Sequence, residues 1–207
     1  MHIELTEMLR CPEEHRDEFL VLSTSEMNGR MVWRGIVGCP VCEREYVIFD
    51  GIVDFTQVLA GTDPKPVRRT PAPPALTDID PQSLQALLDL SGPGGYVILL
   101  GSASRHAVGL AALMGGIHFV GINAPVDYEE LPILSLLQTE SRLPLRAAMA
   151  RGVLVGPELL ESPQWLTEAA RVLLRGRRLV LETESPNAPS GVTRLAAGKG
   201  LWVGEKT

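Results

Sequence analysis

The sequence predicts an α/β protein in two parts, a small N-terminal β unit followed by a trimmed, doubly wound α/β unit. Three observations carry that reading. Before residue 59, short β-prone runs alternate with turn residues. After residue 83, continuous apolar runs alternate with segments of helical spacing. Between them lies a stretch in which proline recurs without apolar periodicity. The expected divisions are therefore 1–59, a linker over 60–82, and 83–207.

In the first part, "FLVLSTSEMNGRMVWRGIVGCP" holds two β-prone runs around Asn28 and Gly29, a dipeptide favoured in type I′ hairpins because both residues tolerate positive φ. A further strand-like run, "YVIF", follows. The linker "GTDPKPVRRTPAPPALTDIDP" reads as extended rather than packed. In the second part, "PQSLQALLDL" has helical spacing and "YVILLG" is the apolar run of a strand buried on both faces. "SRHAVGLAALMG" then reads as a helix and "IHFVGIN" as a strand, a βαβ unit of about 30 residues, as a parallel crossover requires. The runs "ILSLLQT", "GVLVG" and "RRLVLET" are further strands, with a helix over "PQWLTEAARVLL" whose first turn suits Pro163. The segment "APVDYEELP" is too short for the usual crossover helix. The tail offers a terminal hairpin between "TRLAA" and "LWVGEK".

Composition narrows the function classes. The chain has 207 residues, 45% hydrophobic and 21% charged, enough to bury a core. A formal charge of -6 opposes whole-surface attraction to phosphate backbones, so RNA binding needs a local basic patch. Arg171, Arg175, Arg177 and Arg178, with Arg68 and Arg69 in the linker, supply local charge but no interleaved aromatics, which reads as a solvated face. The opening "MHIELTEMLR" lacks the layout of a secretory leader, and the longest apolar stretch, residues 107–122, is interrupted by Gly115, Gly116 and His118. The expectation is a cytoplasmic protein with no membrane span.

Three cysteines cannot all pair with one another, and in a reducing compartment a C-x2-C pair is more often metal-binding or redox-active than a disulfide. "CPEEH" places Cys11 and His15 upstream of "GCPVCEREY", where Cys39 and Cys42 have the spacing that aims two thiolates at one ion. Together they make a closed, tetrahedral set for structural zinc. A redox pair is the competing reading, yet such a motif opens a helix after a strand, and this one lies between a hairpin and another strand. His15 is the ligand that Glu14 or Asp17 could replace. A unit of about 55 residues has a marginal core, to which structural zinc adds on the order of 10 to 16 kcal/mol of apparent binding energy.

"LTEMLRCP", "CPVC" and "EYVIFDGIVDF" resemble the zinc-ribbon family of methyltransferase activator subunits and their small bacterial relatives, over residues 3–56. His15 departs from the family pattern. The resemblance implies a ribbon that stabilises or activates a methyltransferase partner. The second part resembles a class I, Rossmann-like methyltransferase in strand order and in "YVILLGSAS", "HFVGINAP" and the run from "LLQTES" to "RRLVLE", over residues 84–184. It implies an S-adenosylmethionine site at Gly101, Ser102, Asn123 and Glu140. The family's acid at the end of the first strand is Leu99 here, its glycine-rich loop keeps only Gly101, and Asn123 replaces the acid expected at the ribose.

The competing reading of Gly101 and Ser102 is a tight strand-to-helix turn, with Ser102 or Ser104 capping the next helix. The helix start there also suits an anion, aided by Arg105 and His106. His106, without an evident carboxylate partner, reads as a surface residue. Glu158 and Glu161 suit either a substrate-facing loop or a helix start. Trp33, Trp165 and Trp202 are expected in cores or between the two parts.

No catalytic residue is assigned. The sequence reads as a zinc-binding protein with a degenerate methyltransferase-like part, a non-catalytic binding or assembly module that works with a protein partner or by self-association. The alternative is an active S-adenosylmethionine-dependent methyltransferase acting on RNA or protein.

Overall fold

The structure, a computed structural model, describes residues 1–58, 67–73, 79–127, 131–184 and 186–207. Residues 59–66 and 74–78, most of the expected linker, lie outside the described residues. The chain begins with a 3-10 helix, Ile3–Met8, followed by an antiparallel meander of β1 (Val21–Asn28), β2 (Met31–Gly38), β3 (Glu45–Phe49) and β4 (Ile52–Val58). Then come α1 (Pro81–Leu87), β5 (Tyr96–Leu100), a 3-10 helix over Gly101–His106 running into α2 (Ala107–Leu113), β6 (His118–Ile122), β7 (Leu134–Gln138) and β8 (Ala150–Val155). The chain closes with α3 (Pro163–Val172), β9 (Leu173–Leu181), β10 (Val192–Gly198) and β11 (Leu201–Lys206).

All eleven strands form one sheet, in the order β1-β2-β3-β4-β7-β6-β5-β8-β9-β11-β10. From β7 to β9 the strands are parallel, the doubly wound, Rossmann-like arrangement expected. The chain steps from β5 outward to β6 and β7, then returns to place β8 on the other side of β5. That reversal is the topological switch point, where open α/β sheets bind ligands at the carboxyl ends of their strands. β4 joins the meander to the parallel strands by pairing with β7, Val53 opposite Leu137 and Asp54 opposite Gln138.

Alternate residues of the central strands feed two apolar clusters, one on each face of the sheet. Val97 and Leu99 pack with Leu84, Leu110 and Phe119 under α1 and α2. Ile98 and Leu100 belong to the other cluster, which runs without a break from Met1, Leu5 and Tyr46 to Trp165 and Trp202. The N-terminal meander thus shares its core with one face of the parallel sheet. Trp33, by contrast, is only half-buried.

Several expectations shift. The first hairpin turns at Gly29–Arg30, since Asn28 pairs with Met31; only Gly29 has positive φ, the pattern of a type II′ rather than a type I′ turn. The type I′ pattern belongs to Asp50–Gly51 between β3 and β4, both at positive φ. The helix over "PQWLTEAARVLL" stops at Val172, and the two leucines that follow open β9. Pro163 stands in the first turn of α3 as expected, and the terminal hairpin forms as β10 and β11. No helix lies among the described residues between β6 and β7.

Candidate metal centre and cleft

Cys11, His15, Cys39 and Cys42 converge: their ligand atoms all lie within 4.8 Å of one another. Cys11 follows the end of the first 3-10 helix, while Cys39 stands just past β2 and Cys42 in the tight turn leading to β3. Cys11 Sγ is 3.7 Å from Cys42 Sγ, and Cys39 Sγ is 3.4 Å from His15 Nε2. A tetrahedral ion bound at ~2.3 Å to sulfur and ~2.0 Å to nitrogen separates its ligands by roughly 3.5 to 3.8 Å. The residues therefore fit a metal ion.

The surroundings support the same donor set. His15 Nδ1 donates to the Arg16 carbonyl oxygen at 2.6 Å, which fixes the tautomer and leaves the Nε2 lone pair facing Cys39. Burial pushes the Cys11 thiol up to about 12. For Cys39 burial is the largest single influence and acts upward, but the backbone N–H groups of Cys42 and Val41, together with the Cys42 and Cys11 thiols, hold the thiol below its usual value. Burial thus disfavours the Cys11 thiolate, which a bound cation would offset, and thiolate ligands bind metal with release of protons. All three cysteines are free thiols, two of them buried.

The second site lies at the switch point. A cleft of about 360 Å³ is lined by Gly101 after β5, Asn123 after β6, Gln138 at the end of β7 and Glu158 after β8. Thr70, Pro71 and Pro73 form another wall. This stretch of the expected linker is tied to the loop after β6: Val126 N–H donates to the Thr70 carbonyl at 2.9 Å, and Ala72 N–H to Asp127 Oδ2 at 2.9 Å. Asn123, at φ +54°, accepts from Thr139 N–H through Oδ1 at 2.9 Å. Its side-chain oxygen is therefore engaged within the chain. Glu140 is exposed just beyond and does not line the cleft.

The loop at Gly101 is occupied by a side chain from across the switch point. Ser102 N–H donates to Glu158 Oε1, and Ser102 Oγ donates to Glu158 Oε2 at 2.8 Å. A Cβ at Gly101, where φ is +63°, would strike Glu158 Oε1; one at Gly156 would lie 2.8 Å from Oε2. Two glycines thus make room for one carboxylate. Neither Ser102 nor Ser104 caps the helix: Ser104 Oγ instead reaches the Leu99 carbonyl at 3.5 Å. An internal acid thus already holds both the N–H and the hydroxyl donor of Ser102.

His106 does have a carboxylate partner. Glu182, whose side chain is fully buried at the end of β9, meets Arg105 Nη2 at 2.6 Å and His106 Nε2 at 3.3 Å. The loop is thus tied at both ends by carboxylates that follow β8 and β9. Of the arginines read as a solvated face, Arg171 bonds Glu168 and the carbonyls of Leu143 and Leu145, and Arg178 bonds the carbonyl of Ala86. The sequence signal for Glu182 was weak: a polar residue directly after an apolar strand, where α/β sheets place functional groups.

No protein-family model matches the chain, and the curated proteins give no match. Among solved structures the chain is similar to one in the complex formed by the Haloferax volcanii Trm112 methyltransferase activator, at 21% identity over 49% of this chain and 50% of that one, with a TM-score of 0.39. It is similar to the antibiotic-resistance methyltransferase Kmr at 14% identity, covering 66% of this chain and 97% of that one, TM-score 0.44. A third is an S-adenosylmethionine-dependent methyltransferase from Aquifex aeolicus, 16% identical over 61% of this chain and 88% of that one, TM-score 0.46. The chain spans about half the length of the Haloferax structure it matches.

Proposed function

We propose that this chain is a zinc-binding protein whose methyltransferase-like part serves binding or assembly rather than methyl transfer. The observation that carries this reading is the Glu158 carboxylate held by Ser102 in the loop at Gly101. A methyl donor needs that loop for its amino-acid end, and displacing a carboxylate that accepts two hydrogen bonds costs binding energy. The loss of acids at Leu99 and Asn123 supports the same conclusion. Zinc, held by Cys11, His15, Cys39 and Cys42, is assigned a structural role, because four protein ligands leave no open position for a reacting group.

Supporting an assembly role, the sheet ends in two exposed edge strands, β1 and β10, either of which can pair with a partner protein or a second copy. The alternative, an active methyltransferase on RNA or protein, draws support from the cleft at the switch point, lined by Asn123 and Gln138. Calorimetric titration of the zinc-loaded protein with S-adenosylmethionine and its demethylated product separates the two. The expected result is no heat at millimolar ligand. Micromolar binding would restore the enzyme reading. No helix among the described residues is long and apolar enough to cross a membrane.

A further inference from the structure

We infer that the Cys–His centre and the cleft are linked, with Arg142 as the positioning residue between them; this rests on the reading that the centre holds a metal. The loop bearing Cys11 and His15 is held from the far side by the segment that follows β7. Arg142 donates through Nη1 to the Glu13 carbonyl at 3.2 Å and through Nη2 to Asp17 Oδ1 at 3.0 Å. The same Glu13 carbonyl accepts from His15 N–H at 3.0 Å. One oxygen between two metal ligands in sequence therefore serves both the loop's own turn and the arginine.

Beside this clamp, before Glu13 and after Arg142, the two segments meet backbone to backbone. Arg10 N–H donates to the Pro144 carbonyl at 3.0 Å, and Arg146 N–H to the Met8 carbonyl at 2.8 Å, with Leu9 and Leu145 bridged in antiparallel fashion. At its other end the segment reaches the cleft. The Arg142 carbonyl accepts from Thr139 Oγ1 at 2.9 Å, and Thr139 N–H donates to Oδ1 of the cleft-lining Asn123 at 2.9 Å. Hydrogen bonds, joined through the covalent structure of Arg142 and Thr139, thus lead from the His15 backbone N–H by way of the Glu13 carbonyl to Asn123.

A metal that orders the loop over residues 11–17 fixes the oxygens that Arg142 grips, and so fixes the Thr139–Asn123 wall. Linkage makes the effect reciprocal: whatever disturbs the arginine weakens the metal. Hydrogen exchange with zinc as the probe tests both directions. In the intact protein, removing zinc with a chelator is expected to speed exchange of the 139–146 amides about tenfold or more beyond any acceleration shared with β5 and β8. The R142Q variant is expected to show the same local acceleration with zinc still bound. By competition against a chromophoric chelator, its zinc affinity should be roughly 10- to 100-fold lower, as for losses around metal ligands elsewhere. R142K, which keeps the charge but offers one donor nitrogen in place of Nη1 and Nη2, should fall between. Unchanged exchange over 139–146 after chelation overturns the link, as does an acceleration there no greater than that of β5 and β8. A protein that takes up no zinc overturns both the link and the metal reading, and the zinc stoichiometry identifies that case.

Discussion

At the residue scale the metal centre depends on one side chain that the sequence left exchangeable. His15 belongs to the charged run "EEHRDE", where Glu14 or Asp17 competes on spacing alone. The structure separates them by direction: the imidazole is locked by the Arg16 carbonyl and faces Cys39, while Asp17 is turned toward Arg142. His15→Ala should therefore weaken zinc binding by at least the ~10- to 100-fold seen on disturbing outer-shell partners of metal ligands. Cys39→Ser should do more, since it removes the thiol already held below its usual pKa. Zinc content after dialysis, measured on both variants and on Glu14→Ala as a control, checks the order. Equal zinc retention in His15→Ala and Glu14→Ala would remove His15 from the ligand set.

At the scale of elements, the starts of β6 and β7 and the N-terminal segment meet around His118. Its Nε2 lies 2.9 Å from Ser135 Oγ, which also accepts from His2 N–H at 2.9 Å, so the serine hydroxyl proton points to the imidazole. Burial first, then the His2 ring and the N-terminal amine, lower His118 to about 4. The unfolded chain binds this proton near pH 6.5. Between those values the unfolded state carries more protons, so stability is full above pH 6.5 and falls as pH drops toward 4, by about 3 kcal/mol for this group. Urea unfolding across that range should show the slope, and His118→Gln should flatten it; an unchanged slope would place the acid sensitivity elsewhere. The sequence showed this histidine only as an interruption in an apolar run, because its partners are 17 and more residues away in another strand and at the N-terminus.

The elements themselves were legible where the signal is periodic. Strands β5 to β9 follow from runs of apolar residues, since burial on both faces leaves no alternative use for them. Turns were less secure: Asn28–Gly29 and Asp50–Gly51 carry the same local chemistry, and only cross-strand register decides which pair occupies the turn centre. The cleft was legible as a place, at the switch point after β5. Its filling by Glu158 was not, because that contact joins residues 56 positions apart and rests on two glycines whose absent side chains have no sequence signature.

At the scale of the whole molecule, the division read from proline content does not separate two cores. The cluster that holds Met1, Leu5 and Tyr46 also holds Ile98, Val153 and Trp202, and β4 is hydrogen-bonded to β7 in the same sheet. A unit of about 55 residues is marginal alone, so exposing one side of this cluster removes support from the other. Calorimetry should accordingly show one unfolding transition rather than two. Removing the metal should move that transition as a whole. For a chain of this size each kcal/mol shifts the midpoint by ~2 to 4 °C, so losing even about 5 of the roughly 10 to 16 kcal/mol that structural zinc supplies lowers it by roughly 10 to 20 °C. A low-temperature transition that alone responds to chelator, with an unmoved second one, would show instead that the meander melts independently and that the shared core is not what binds the two parts together.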